Sequence, residues 1–288
     1  MAKRITSLFL ALMILLSTIP YVMAIDYTGE DEIKNSETDV ALNALTQEYA
    51  AIYGDSEEWN TAQKYIDCYR NDPIFELHYS SDPVDAIEMV RTVVNGAISQ
   101  ISAIQPLGTL AASYSVDGVP NYTQSLTYSC GTASALQVII QQGGGGSIPG
   151  NTFTLKEEEL IDEIGLGEEG AYVSDVRNLI NKYTSKHTYT YIKCTTLSEG
   201  EVQNLIRSSF RNDCPVILHA IKGYLDYYPS TDMKGHYIVG TAWYPPSNEF
   251  VVNDCNYKPE YGGVRTTSMT SVYNCLHMQS ERYLIYGT

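Results

Sequence analysis

Apolar residues recur at helical spacing in the first part of the chain and form short continuous runs in the last part. Two amphipathic stripes predict helices from Thr38 to Tyr53, with Val40 on the stripe, and from Pro83 to Ile104. After residue 200, short apolar runs bounded by turn residues predict β-strands. Helices followed by antiparallel strands indicate the α+β class, because a wound parallel sheet would alternate strands and helices.

Between these two regions the sequence predicts three more helices and the strands that follow them. Thr154 is the predicted cap of an acidic helix that runs through Ile164, and Val173 to Tyr183 has its apolar residues on one face. Ser198-Glu-Gly-Glu201 is a capping box that opens the next helix. Buried strands are predicted at Pro215 to Ile221 and Arg282 to Tyr286.

Cys130 stands where small polar residues lead into an apolar helical pattern. Ser129 is its predicted cap, and a flexible loop of glycines from Gly143 to Gly146 ends the helix, so Cys130 falls in the first turn. Unpaired N–H groups and the positive end of the helix dipole favour a thiolate there. Gln124 offers a side-chain donor that, with the Cys130 N–H, would hold the oxygen of a tetrahedral intermediate. A buried structural cysteine is the alternative, since that is the commonest fate of a free thiol.

A histidine and a carboxylate suited to this thiol occur in a predicted hairpin. His236 opens a buried strand, and the partner strand ends in Asn253 and Asp254. Successive strand residues face opposite ways, so only one of these two can orient the imidazole, and we predict Asp254. His219 lies within a buried strand and is predicted to be a hydrogen-bonded core residue. Cysteines and histidines lack zinc-ligand spacing, so no metal or other cofactor is predicted.

Taken together, four short motifs resemble a known family. Gln124, Cys130-Gly131, Gly235-His236-Tyr237 and Val252-Asn253-Asp254, in this order, resemble the papain-like cysteine peptidases of the bacteriocin-processing, double-glycine leader type. The resemblance covers about residues 112 to 288. It departs from the family at Thr132, where proline is usual.

This resemblance implies a papain-like α+β fold and a thiol peptidase. It gives Cys130 the role of nucleophile, His236 that of general base, Asp254 that of its orienter, and Gln124 a place in the oxyanion hole. Peptide bonds would be hydrolysed through an acyl-enzyme, an intermediate that a transpeptidase or an amidase would share. A catalytically silent secreted binding or structural protein with the same fold is the remaining alternative.

The N-terminal segment predicts where the protein is located, and the helical pattern after it predicts how the chain divides into domains. Lys3 and Arg4, the apolar run from Ile5 to Leu16, and Val22-Met23-Ala24 are typical of a signal peptide, residues 1–24, so the mature protein is expected to be secreted. No later run approaches the roughly 20 apolar residues of a membrane helix. Residues 25–111 are predicted to be a helical extension or an inhibitory propeptide that packs on a peptidase domain, residues 112–288.

Charge and aromatic content narrow the expected partners. A net charge of −16 disfavours nucleic acids and anionic membranes as partners, and the resemblance implies a peptide or protein substrate. Tyr224, Tyr227 and Tyr228 lie in a loop that would either line a substrate groove or pack on its own aromatic rings. If Cys130 stays free, five cysteines remain and cannot all pair, so mostly free thiols are expected; Cys255 is predicted to point away from the site.

Overall fold

Helices and strands follow each other in the order that the hydrophobic pattern predicts, with some elements added. A computed structural model describes residues 37–54, 56–71, 83–102 and 113–288. In these ranges there are eight helices: α1 (Glu37–Tyr53), α2 (Glu57–Arg70), α3 (Pro83–Ser102), α4 (Cys130–Gln141), α5 (Phe153–Ile164), α6 (Val173–Tyr183), α7 (Glu199–Arg211) and α8 (Met269–His277). There are seven strands: β1 (Tyr114–Ser115), β2 (Tyr189–Lys193), β3 (Val216–Ile221), β4 (Gly235–Tyr244), β5 (Glu249–Asp254), β6 (Gly263–Ser268) and β7 (Tyr283–Gly287). The predicted signal peptide lies outside the described residues.

All seven strands form one antiparallel sheet. Its order is β2-β7-β3-β4-β5-β6, and the short β1 pairs with β4 outside this path. Helix α4 packs on β4, α7 packs on β3 and β7, and α8 packs on β3. The α+β prediction is therefore confirmed. The last strand, β7, lies inside the sheet, between β2 and β3. It pairs with both, and so connects β2 to the rest of the sheet.

The three N-terminal helices share their hydrophobic core with the sheet. Their contacts with the rest of the described chain include β2 and α7: the Tyr69 hydroxyl donates to the carbonyl of Tyr191, and Lys64 pairs with Glu201. On α1, Val40 is 44% exposed, which corrects its predicted place on the buried stripe. Strand β2 is the sheet edge farther from β4, so the contact of Tyr69 with Tyr191 lies three strands away from the strand that carries His236.

Two local predictions are corrected by the structure. Helix α5 is capped by Thr152 instead of Thr154, because the Thr152 hydroxyl accepts the Leu155 N–H at 3.2 Å. Gly144 begins a 3-10 turn instead of a flexible loop, and a Cβ there would lie 2.0 Å from the carbonyl oxygen of Tyr183. The predicted capping box of Ser198 and Glu201 is confirmed. No helix in the described ranges is both long and apolar enough to cross a lipid bilayer.

Candidate active site

Cys130 is the first residue of α4, and its side chain is partly exposed while the next nine residues are buried. Ser129 occupies the cap position, but its hydroxyl does not cap the helix as predicted. The hydroxyl instead donates to Glu157 Oε1 at 2.8 Å and accepts the Leu126 N–H at 3.0 Å. At Gly131, a Cβ would come within 2.7 Å of the Ala171 Cβ, so the residue after the thiol must be small. The first turn of α4 is therefore tightly packed against Ala171.

His236 and Asp254 lie on neighbouring strands and face the same side of the sheet. Gly240 of β4 pairs with Val252 of β5, and each site residue is an even number of positions away from its strand's partner in that pair. The His236 Nε2 lies 2.8 Å from Asp254 Oδ1, and the Cys130 thiol is close enough to His236 for each group to shift the pKa of the other. Asn253 faces the other way and donates to the carbonyl of Val119 at 3.2 Å. Of the two residues that end β5, Asp254 thus reaches the imidazole.

His236 shifts the pKa values of Cys130 and Asp254, and both of these groups shift the pKa of His236. Burial opposes a thiolate, but the hydrogen bond and charge of His236 outweigh it, so the pKa of Cys130 lies below its ordinary value. Burial also disfavours an imidazolium, yet Asp254 and Cys130 raise the pKa of His236 to about 10. Burial tends to raise the pKa of Asp254, but its bonds with His236 and other donors lower it. These shifts favour a thiolate paired with an imidazolium over a neutral thiol paired with a neutral imidazole.

Two tyrosine hydroxyls hold the far oxygen of Asp254, a role that the sequence analysis missed. Tyr227 and Tyr228 each donate to Oδ2 at 2.9 Å, and the Asn256 N–H donates to Oδ1 at 2.8 Å. The Tyr228 ring is buried and stacks on Tyr261 with ring centroids 4.6 Å apart. Within the loop, the rings of Tyr227 and Tyr228 contact each other with centroids 4.9 Å apart, and their predicted contact with substrate stays a prediction. A signal for the hydroxyl contacts was absent from the sequence, because they depend on how the loop folds back.

Tyr224 is separate from this arrangement. It ends the 3-10 turn Lys222–Tyr224 and is half-buried. Its contact with substrate stays a prediction.

Gln124 lies beside the nucleophile helix and is almost fully buried. Its backbone N–H donates to the carbonyl of Cys255 at 2.8 Å, and its side-chain Nε2 donates to the Leu126 carbonyl at 2.5 Å. An amide nitrogen carries two hydrogens, so one more donor is present on Nε2. Gln124 and Cys130 are linked through Cys255, whose Sγ lies 3.7 Å from Gln124 Oε1 and 3.6 Å from the Cys130 carbonyl oxygen.

The position of Cys255 corrects the prediction that it points away from the site. Strand β5 ends at Asp254, and the next residue turns its side chain under Cys130. Burial raises the pKa of the Cys255 thiol well above its ordinary value. The thiol lies within hydrogen-bond distance of the backbone carbonyl oxygens of Cys130 and Tyr237. His236, Asp254 and Cys255 have ligand-type atoms within 4.8 Å of one another, but a protonated thiol and a histidine bonded to Asp254 fit a hydrogen-bond network better than a metal site. All six cysteines are free.

His219 takes the structural place predicted for it. Its Nε2 accepts from the Arg282 guanidinium at 3.0 Å, and its ring stacks on Tyr237 at 4.4 Å. Burial, together with the charge of Arg282, lowers the pKa of His219 to about 3. This imidazole is held neutral and is engaged away from the thiol.

These features define a peptidase of the papain-like cysteine kind, an α+β domain in which a helix presents a thiol to a histidine on the sheet. Residues 116–283 match the model of the Peptidase_C39 like family, and this range contains Gln124, Cys130, His236 and Asp254. The match covers more than half of the chain, so the protein belongs to the Peptidase_C39 like family.

Comparison with curated proteins gave no match. Among solved structures, the crystal structure of UfSP from C.elegans is similar at 15% sequence identity and a TM-score of 0.36. That similarity covers 66% of this chain and 36% of the UfSP chain. The chain thus spans about a third of the length of that protein.

Proposed function

We propose that this protein is a secreted cysteine peptidase that hydrolyses peptide bonds, with Cys130 as nucleophile, His236 as base and Asp254 as its orienter. The observation that supports it most directly is the position of His236, whose Nε2 lies 2.8 Å from Asp254 and whose pKa the neighbouring Cys130 thiol helps to raise. A buried imidazole that joins a thiol to a carboxylate is the arrangement that activates a nucleophilic cysteine.

The first half of the reaction forms an acyl-enzyme. The Cys130 thiolate attacks the peptide carbonyl carbon, and the carbonyl oxygen becomes negative. As the first residue of α4, Cys130 has an N–H without an intrahelical partner, and Gln124 adds its side-chain N–H. The His236 imidazolium then gives its proton to the leaving amine, and the carbon–nitrogen bond breaks.

The second half releases the acyl group. Neutral His236 removes a proton from a water molecule, whose oxygen attacks the thioester carbon. The carbon–sulfur bond breaks, the new carboxylic acid leaves, and the thiolate and imidazolium are restored. Asp254 keeps the ring oriented through both halves, since its second oxygen is fixed by Tyr227 and Tyr228.

Secretion is part of the proposal. It rests on the charged, apolar and small-residue pattern of residues 1–24, together with an acidic composition that suits an exported protein. Mass spectrometry of the protein recovered from culture medium should give a mature chain that begins at Ile25. Recovery of the uncleaved chain inside cells would contradict this part.

Three substitutions test the catalytic assignment on labelled casein. Cys130→Ala and His236→Ala should each lower turnover by a factor on the order of 10⁴ or more, since members of such a unit fail together. Asp254→Ala should keep more activity, because a base without its orienter still samples the productive pose. Cys68→Ala, which removes a buried thiol on α2, is the matched control and should stay active.

Full activity in Cys130→Ala would refute the proposal. Incorporation of heavy oxygen from labelled water into the new carboxylate identifies hydrolysis, whereas transfer to an added amine would identify a transpeptidase.

A further inference from the structure

A buried carboxylate lies directly against the segment that precedes the nucleophile. Glu157, on α5, has no exposed surface. Its Oε1 accepts from the Ser129 hydroxyl at 2.8 Å, and its Oε2 accepts from the Ser125 N–H at 2.9 Å and the Tyr122 hydroxyl at 3.1 Å. Within the described ranges, no lysine, arginine or histidine forms an ion pair with Glu157.

Such a group is costly to keep. Removing a carboxylate from water without a cation disfavours its charged form, and burial accordingly raises the pKa of Glu157, although its hydrogen bonds oppose the rise. A buried ionisable group is weak evidence for stability by itself. The three hydrogen bonds of Glu157 instead fix the positions of the groups that donate them.

All three donors belong to one stretch, residues 122–129, which contains Gln124 and directly precedes Cys130. This stretch forms neither helix nor strand, so regular backbone bonds do not fix its shape. The Ser125 N–H directly follows Gln124, and the Ser129 hydroxyl directly precedes Cys130. Glu157 thus contacts the chain next to each of the two groups that would donate to a tetrahedral oxygen.

We propose that Glu157 is a positioning residue that fixes the side-chain amide of Gln124 and the backbone N–H of Cys130 at the spacing an oxyanion requires. The inference rests on the proposed peptidase function and extends it to a residue that touches neither substrate nor the reacting atoms. It assigns the two sides of the site to different elements: the sheet ionises the thiol, and α5 shapes the oxyanion hole.

This division predicts a split between two reactions of the same thiol. Peptide hydrolysis passes through a negatively charged oxygen and needs the oxyanion donors in place. Alkylation by iodoacetamide needs only the thiolate, which His236 and Asp254 stabilise from the sheet. Loss of Glu157 should therefore slow hydrolysis and leave alkylation unchanged.

The test uses the full mature chain, a casein-derived peptide that the wild type cleaves, and iodoacetamide. For Glu157→Ala we expect kcat to fall about 10- to 100-fold, somewhat less than the loss of one oxyanion donor outright. KM and the alkylation rate should each stay within about twofold, because the interaction acts only in the transition state. Glu159→Ala, on the exposed face of the same helix, is the matched control and should behave as wild type.

Glu157→Gln provides a conservative rescue. Its amide oxygen can accept from the Ser125 N–H and the Tyr122 hydroxyl, and its NH₂ can donate to the Ser129 oxygen, whose own hydrogen can turn to the Leu126 carbonyl oxygen 3.2 Å away. We expect kcat to return to within about threefold of wild type, because the geometry is kept while the charge is removed.

Unchanged kcat in Glu157→Ala would overturn the inference, and so would equal losses in hydrolysis and alkylation, which would indicate general damage to the site. If Glu157→Ala does not fold by circular dichroism, Tyr122→Phe and Ser129→Ala each remove one donor. Each should then lower kcat with alkylation unchanged, and wild-type kcat in both would refute the role. A wild type that cleaves no peptide would overturn the proposed function together with this inference. Equal cleavage rates of the wild type and Glu157→Ala would overturn this inference alone.

Discussion

Replacing Asp254 with asparagine tests whether the carboxylate sustains the ion pair of Cys130 and His236. The substitution keeps the shape of the side chain and removes its charge. It also weakens the bonds from Tyr227 and Tyr228, since a neutral amide oxygen is a poorer acceptor than a carboxylate. We expect the pKa of His236 to fall toward 6.5 and the pKa of Cys130 to rise, because each charge stabilises the other.

The size of the effect follows from the pKa of His236. It rises from 6.5 to about 10, which at about 1.4 kcal/mol per pKa unit is roughly 5 kcal/mol in favour of the imidazolium. Asp254 and Cys130 share this effect, so losing the Asp254 charge should cost the ion pair on the order of 2 kcal/mol, a loss of thiolate of about 10- to 100-fold. The loss of thiolate has an upper limit, because even an ordinary thiol of pKa about 8.5 is about 0.3% thiolate at pH 6.

Iodoacetamide alkylation of Cys130, followed by mass spectrometry across pH, measures the thiolate. At pH 6, Asp254→Asn should react about 10- to 100-fold more slowly than wild type. The lower end of this range allows for the stabilised thiolate of the wild type being somewhat less nucleophilic. At pH 9.5 the rates should agree within about threefold, because even an ordinary thiol is mostly ionised there. Glu249→Gln, at the other end of β5, is the control and should keep the wild-type profile. An Asp254→Asn profile that matches wild type at pH 6, or one lowered equally at both pH values, would refute this reasoning.

Three further outcomes are expected. Tyr228→Phe removes one of the two hydroxyls on Asp254 and should lower the free energy of unfolding by about 1.5 to 3 kcal/mol in a urea titration, with a smaller fall in alkylation at pH 6. A chain that starts at Ser113 loses the helices packed on β2, so it should melt at lower temperature without cleaving faster than the mature form. Gly144→Ala places a methyl group 2.0 Å from the Tyr183 carbonyl and should destabilise by about 2 kcal/mol or more, whereas Gly146→Ala, with open space around it, should be near neutral.

Residues whose geometry depends on local pattern could be read from the sequence. Cys130 at a helix start follows from the turn before it and the apolar spacing after it. A short hairpin turn brings together the strand ends that carry His236 and Asp254, whereas their facing the same side depends on the register shift between Gly240 and Ala242, which the sequence does not signal. Such signals extend over a few residues, so they survive without knowledge of the fold.

Elements rich in tyrosine were not predicted. Helix α2 buries Tyr65 and Tyr69 among its core residues, and β2 buries Tyr189 and Tyr191. The chain has 24 tyrosines and only 5 phenylalanines, so tyrosine supplies much of its large aromatic core. A pattern based on aliphatic spacing does not register these faces, because tyrosine is as frequent on surfaces as inside.

Two buried carboxylates show why the supporting residues could not be found in the same way. Asp254 lies against an imidazole that becomes charged, and its pKa falls below its ordinary value; Glu157 lies against neutral donors, and its pKa rises. Nothing in the residue types distinguishes them, since the difference arises from which elements approach after folding. Their partners imply different roles: Asp254 balances the charge of an imidazole, whereas Glu157 holds the neutral donors of one segment. Because the two groups act on separate sides of Cys130, alkylation reports on one and hydrolysis on both, and comparing these two rates assigns any variant near the site to its side.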